Sequence, residues 1–95
     1  VEGVDIVFVG PYDLSQSLGV TGQTSHPAVL EAVASIAEKC RTSGMAAGTF
    51  VESEKEVRRW QAHGLKYFCY SVDLGLLYES CRQLVGNLAC ADANA

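Results

Sequence analysis

The residues with the clearest capacity for chemistry lie in one short stretch, Gly10 to Asp13, which follows the apolar run Val4 to Val9. Asp13 offers a carboxylate, and hard cations such as Mg2+ and Mn2+ prefer oxygen ligands. Gly10 lets a ligand approach the backbone closely, and the N–H groups of Tyr12 and Asp13 could bind an anion. In α/β proteins, active sites form where strands end and loops begin. The alternative is that Asp13 only caps a short helix after it.

Other polar and aromatic residues have plainer interpretations. We predict that His26 is a loop or cap residue, that His63 ends a helix, and that Trp60 packs in the core. Arg58 and Arg59 are predicted to lie on a solvated helix face, and Asp73 to cap the last helix. The cysteines show no metal-binding spacing and are predicted to be buried free thiols, which fits a reducing compartment. They are Cys40, Cys69, Cys81 and Cys90.

Three strand-then-helix units follow one another along the chain. Strands are predicted at Val4–Val9, Met45–Val51 and Lys66–Val72. Helices are predicted at Leu14–Leu18, at Pro27–Ser43, from the Ser53 and Glu56 capping box to Gly64, and along the apolar stripe Leu77, Cys81, Leu84 and Leu88. Alternation of this kind predicts an α/β fold with a parallel sheet.

Three strands alone would leave both edges of an apolar sheet bare, so the pattern indicates that further strands belong to the fold. A (β/α)8 barrel needs about 250 residues, and 95 residues correspond to three of its eight units. The chain opens without Met, one step before a strand, and we interpret it as part of a longer protein.

Composition excludes some functions. The net charge is −4, and the Lys and Arg residues are scattered, which argues against a nucleic-acid surface. No apolar run approaches the length of a membrane-spanning helix, and no signal-peptide pattern occurs, so no membrane partner is expected and a cytoplasmic location is predicted.

Several motifs in order resemble the HpcH/HpaI aldolase family, of the 2-dehydro-3-deoxyglucarate and 4-hydroxy-2-oxoheptanedioate aldolase type. They are Val4 to Ser15, Ser17-Leu18-Gly19, His26-Pro27, Gly44 to Gly48, and Ser71 to Leu77. The resemblance implies the C-terminal three βα units of a (β/α)8 TIM barrel over residues 1–88. Residues 89–95 are predicted to form a frayed tail.

The resemblance also implies a metal-dependent lyase that cleaves 4-hydroxy-2-oxo acids into pyruvate, or a related 2-oxo acid, and an aldehyde. Asp13 would be a ligand of Mg2+ or Mn2+, which would act as a Lewis acid. Pro11, Tyr12, Asp13 and Phe50 would contact substrate. Tyr12 replaces a small residue, and Phe50 replaces a leucine that often reaches a neighbouring subunit's site; Phe50 could equally be a core aromatic.

The family's other metal ligand, its substrate-binding arginine and its histidine base are expected before Val1, in a missing N-terminal part of the barrel. No catalytic residue is therefore expected in this chain, which we predict to be inactive alone. A homo-oligomer is also expected. Two alternatives stay open: a citrate-lyase-like or malyl-CoA-type barrel lyase, and a small non-enzymatic α/β binding module that folds by itself.

Overall fold

The computed structural model describes residues 2–93, and the predicted alternation of strands and helices is confirmed. Residues 94 and 95 of the predicted tail lie outside the described range. In chain order the elements are β1 (Ile6–Phe8), α1 (Pro11–Ser17), α2 (Pro27–Thr42), β2 (Ala46–Val51), α3 (Glu54–Ala62), β3 (Tyr67–Tyr70) and α4 (Asp73–Ala93).

The three strands form one parallel sheet in the order β1-β2-β3, as predicted. Ile6 is paired with Ala46, and Gly48 with Tyr67, so β2 lies in the centre. Parallel strands end on the same side of a sheet. The carboxyl ends of β1 and β2, and the segments that leave them, are therefore neighbours although about 40 residues separate them in the chain.

One face of the sheet packs against helices and forms the core. Its buried apolar residues come from β2, α2 and α3, from the end of β1 and from the connection before β3, and are Val9, Val29, Val33, Ala37, Cys40, Ala47, Val51, Trp60 and Leu65. Helix α2 supplies its stripe at helical spacing, as predicted.

Local signals set the helix ends. His26 is the N-cap of α2, where its Nδ1 accepts a hydrogen bond from the Ala28 N–H at 3.1 Å. Ser53 caps α3 by accepting the Glu56 N–H at 3.2 Å. The Glu56 carboxylate accepts the N–H of Glu52, one residue earlier than in the usual capping box. Both predicted caps are thus confirmed.

No element within residues 2–93 covers the other face of the sheet. Its side chains Ile6, Phe8, Phe50 and Tyr67 are 38 to 52% exposed. Helix α4 likewise leaves Leu77, Leu84 and Leu88 about 60% exposed. The chain exposes 6911 Å2, whereas a compact monomer of its mass would expose about 5,300 Å2.

Two predictions about α4 and the cysteines need correction. Cys40 is buried, but Cys69, Cys81 and Cys90 are exposed, because the apolar stripe of α4 and the second face of the sheet meet no covering element within residues 2–93. Residues 89–93 of the predicted tail belong to α4, as suits an alanine-rich segment with high helix propensity.

Candidate functional site

A cleft of about 550 Å3 lies at the carboxyl ends of β1 and β2. Its walls come from the β1–α1 junction, from the α1–α2 loop, from the end of β2 and from α3. The lining residues are Phe8, Val9, Gly10, Pro11, Tyr12, Asp13, Thr24, Phe50, Glu52, Glu56, Arg59 and Trp60. The structure therefore brings all four predicted substrate-binding residues, from Pro11 to Phe50, to one cleft.

Helix α1 begins at Pro11, three residues earlier than predicted. Proline suits the first helical position because it lacks the N–H that would have no partner there. The first intrahelical bond runs from the Leu14 N–H to the Gly10 carbonyl at 2.9 Å. The N–H groups of Tyr12 and Asp13 precede it and have no partner within the helix. Both residues line the cleft.

Asp13 is the third residue of α1, and Gly10 is the N-cap. Gly10, and not Asp13, therefore holds the N-cap position, while the Asp13 carboxylate in the first turn favours the helix dipole. Asp13 is exposed, and within residues 2–93 no side chain forms an ion pair or hydrogen bond with its carboxylate. A Cβ on residue 10 would lie 2.8 Å from Asp13 Oδ2, so the absent side chain of Gly10 makes room for this carboxylate.

A single carboxylate is a partial donor set for a hard cation, which takes several oxygen ligands. No group of three or more His, Cys, Asp or Glu side chains in the described part of the chain could hold a metal ion. Asp13 thus fits the role of one ligand, free and open to the cleft, and the remaining ligands are not found among residues 2–93.

The end of β1 is held by β2 through a threonine that the sequence analysis did not single out. Thr49 is fully buried, and its Oγ1 donates to the Val9 carbonyl at 2.8 Å. The Val9 N–H donates to the Gly48 carbonyl at the same distance. Val9 is therefore fixed on both sides immediately before Gly10, and the β1–α1 junction starts from a rigid point.

Replacing Thr49 by valine is expected to lower the free energy of unfolding by about 1–3 kcal/mol, because the buried Val9 carbonyl loses its donor at constant side-chain volume. Thr42→Val is the matched control, since Thr42 Oγ1 donates to the Lys39 carbonyl on an exposed helix end. Denaturant unfolding of both variants would measure the difference. An equal decrease in unfolding free energy for both variants would contradict the inference that the buried Thr49 hydrogen bond stabilises the end of β1.

The α1–α2 loop is tied to α1 from within. Ser15 is fully buried, and its Oγ donates to the Tyr12 carbonyl and accepts the Gly22 N–H at 3.0 Å. The Val20 N–H donates to the Ser15 carbonyl at 2.9 Å. Helix α1 and the first part of the loop therefore form one unit that carries Asp13.

The prediction that Arg58 and Arg59 both lie on a solvated helix face is wrong for Arg59. Arg58 is exposed, as predicted, and it pairs with Glu54 at 3.9 Å. Arg59 is half-buried, and its Nη2 donates to the Thr24 carbonyl at 2.7 Å, which links α3 to the α1–α2 loop. Sequence spacing gave no signal for this contact, because it joins residues 35 positions apart.

Trp60 is buried in the core, and His63 is the C-cap of α3, so both predictions are confirmed. Trp60 also lines the cleft. Asp73 is the first residue of α4, and its carboxylate accepts the adjacent Leu74 N–H at 2.8 Å, which is not the hydrogen bond of an N-cap residue to a later N–H of the first turn. His26, His63 and Asp73 do not line the cleft.

The fold and the cleft define an α/β protein with a cleft at the carboxyl edge of a parallel sheet. Residues 1–80 match the family model described as HpcH/HpaI aldolase/citrate lyase. The chain is 42% identical over 86 residues to a hydroxypyruvate/pyruvate aldolase of Pseudomonas aeruginosa, covering 90% of this chain and 32% of that protein. The chain belongs to the HpcH/HpaI aldolase/citrate lyase family.

Solved structures agree with this assignment. A family member from Burkholderia cenocepacia J2315 matches with a TM-score of 0.79 at 33% identity, over 93% of this chain and 34% of that one. The citrate synthase SbnG matches with a TM-score of 0.67 at 33% identity, over 99% of this chain and 37% of that one. The chain spans about a third of the length of these relatives. In the described part of the chain, no helix combines the length and apolar character needed to cross a membrane.

Proposed function

We propose that this chain contributes one wall of the active site of a metal-dependent aldolase. The complete enzyme would cleave 4-hydroxy-2-oxo acids into pyruvate, or a related 2-oxo acid, and an aldehyde. The observation that carries the proposal is the unpaired Asp13 carboxylate, which opens into a cleft shared with Pro11, Tyr12 and Phe50. The aldolase names of relatives support the reaction class.

The fold supports the proposal that the chain is part of a (β/α)8 barrel. The three parallel strands leave one face uncovered, and barrel strands bury that face against one another. The excess of roughly 1,600 Å2 over the surface of a compact monomer is about twice the roughly 800 Å2 that one partner buries in a standard interface. The remaining barrel strands, and a second subunit against α4, are the proposed partners of these surfaces. The chain alone is proposed to be inactive.

The residues at the cleft have distinct proposed roles. Asp13 would hold Mg2+ or Mn2+ together with ligands from the rest of the protein, and the cation would supply Lewis acidity to the 2-oxo group when bound. The N–H groups of Tyr12 and Asp13 would bind the carboxylate of the 2-oxo acid at the start of α1. Pro11 would keep those N–H groups fixed, while Tyr12 and Phe50 would shape the aldehyde side of the cleft.

Asp13→Ala in the complete protein is expected to reduce the rate of metal-dependent pyruvate release from a 4-hydroxy-2-oxo acid on the order of 1,000-fold. The reason is that loss of a metal ligand removes part of the Lewis-acid stabilisation of the transition state, which is worth several kcal/mol. The assay compares the rate with and without Mn2+. Asp73→Ala is the control, because that carboxylate accepts the Leu74 N–H outside the cleft and its loss should leave the rate within about 3-fold. Equal rates for wild type and Asp13→Ala would refute the role of Asp13.

A second candidate is a lyase or synthase that acts on citrate-like or acyl-CoA substrates. The similarity to the citrate synthase SbnG favours it, because that protein matches 99% of this chain. The same assay separates the candidates. If the wild-type protein releases no pyruvate with any divalent metal, aldol cleavage is wrong, and condensation or cleavage of acyl-CoA and citrate is the next reaction to measure.

A further inference from the structure

Arg59 differs from the other arginines of the chain in what its charge contacts. Arg41, Arg58 and Arg82 each pair with a glutamate on their own helix. No carboxylate of residues 2–93 lies within 4 Å of the Arg59 guanidinium. Its guanidinium lies 4.5 Å from the centroid of the Trp60 ring and donates to the Thr24 carbonyl. It is therefore held between the core and a loop.

The loop that Arg59 holds forms part of the cleft. Thr24 lines the cleft, and two residues earlier Gly22 is bound by the buried Ser15 of α1. A Cβ on Gly22 would lie 3.8 Å from Tyr12 Cε2, so the Tyr12 ring lies beside the loop backbone. A chain of contacts thus runs from Arg59 through Thr24 and Gly22 to the ring of Tyr12.

Helix α3, which carries Arg59, is itself fixed in the fold. Trp60 fixes the helix in the core, and Ser53 and Glu56 fix its first turn. The Tyr12 ring, by contrast, is 58% exposed and needs a neighbour to define its position. A planar guanidinium that already stacks on an aromatic ring loses little conformational freedom when it donates to a carbonyl.

We propose that Arg59 is a positioning residue that holds the α1–α2 loop, and through it the Tyr12 wall, and so determines which aldehydes fit the cleft. The aldehyde part of this inference rests on the proposed aldolase function. Removing the Arg59 contact frees the loop, lets the Tyr12 ring move outward and widens the cleft on that side. The kcat/KM for larger aldehydes then rises relative to the kcat/KM for small ones.

Three variants of the complete protein test the proposal. Arg59→Met keeps an apolar stem beside Trp60 and removes the donor. Arg59→Lys keeps a charge and N–H donors on a more flexible side chain, and should retain part of the contact to the loop. Arg58→Met is the matched control, because its side chain is 81% exposed and pairs only with Glu54.

Two measurements are needed. Amide hydrogen exchange over residues 19–25 should be about 10-fold faster in Arg59→Met than in wild type, and unchanged in Arg58→Met. In the synthetic direction with pyruvate, the ratio of kcat/KM for a branched six-carbon aldehyde to that for acetaldehyde should rise about 5–10-fold in Arg59→Met. Arg59→Lys should give intermediate values for both quantities.

The outcomes separate this inference from the aldolase proposal. Unchanged exchange in Arg59→Met overturns the inference, whether or not the protein is an aldolase. A fall in kcat/KM that is equal for both aldehydes also overturns it, because a merely structural role would produce that result. If wild type does not condense pyruvate with either aldehyde, the aldolase proposal fails, and the exchange rates still decide whether Arg59 positions the loop.

Discussion

Gly48→Ala is expected to lower the free energy of unfolding by about 4–5 kcal/mol or more, at the severe end of single substitutions. A Cβ on residue 48 would lie 2.7 Å from Tyr67 Cβ and 2.8 Å from Tyr67 Cδ1, and it would also overlap the Tyr67 carbonyl oxygen. The ring carbon can rotate away, but the carbonyl oxygen and the Cβ of Tyr67 are held in place by the backbone of β3. The central strand β2 would have to separate from β3.

Gly86→Ala is the matched control for this result. Gly86 lies inside α4, and a Cβ there would meet nothing within 4 Å. Alanine is favoured over glycine inside a helix by roughly 0.5–1 kcal/mol, so this variant should be neutral or slightly more stable. Denaturant unfolding of the two variants gives the comparison. Gly48→Ala with wild-type stability would mean that β2 and β3 do not approach as closely as the structure describes.

Gly10→Ala is expected to change the site and leave the fold almost intact. The added Cβ would lie 2.8 Å from Asp13 Oδ2, the free end of a side chain that can rotate away. The backbone of Gly10 has φ −102° and ψ 98°, which alanine adopts without strain. The free energy of unfolding should therefore change by less than about 1 kcal/mol. The Asp13 carboxylate, however, cannot keep its position.

The consequence should appear in metal binding. If Asp13 is a metal ligand, its displacement in Gly10→Ala should weaken Mn2+ affinity of the complete protein by about 10–100-fold, the usual effect of disturbing a ligand's surroundings. Titration of the purified protein with Mn2+ measures this, with Gly86→Ala as the control for the same substitution elsewhere. Undiminished affinity would show that the carboxylate does not bind the metal, or binds it in another orientation.

The elements of this fold are predictable because their signals are local. The alternation of apolar strands with amphipathic helices indicates a parallel sheet, and the caps at His26 and Ser53 are formed by residues within a few positions of one another. The Gly10-to-Asp13 segment could also be predicted as a candidate site. Glycine at the end of a strand lets a ligand approach the backbone, and a carboxylate there can bind a cation. Phe50 was connected to this segment only through family resemblance, 37 residues away.

The start of α1 was placed three residues late, although Pro11 carried the signal for a first helical position. The hydrogen bonds of Thr49 and Arg59 could not be predicted, for a different reason. Their hydrogen bonds join residues 40 and 35 positions apart, and no periodicity predicts which carbonyl a buried hydroxyl or a guanidinium will find. The exposed Cys81 shows a third limit, since an apolar stripe predicts a face to be covered but does not supply the element that covers it.

The two hydrogen bonds that hold the α1–α2 loop restrict where residues can be inserted into this protein or deleted from it. Surface connections usually tolerate insertions and deletions well. Here the Gly22 N–H is bound to Ser15 and the Thr24 carbonyl to Arg59, with a single residue between them. One residue added or removed between these two positions would break one of the ties, so related chains and engineered insertions should keep this spacing and vary in length at other connections.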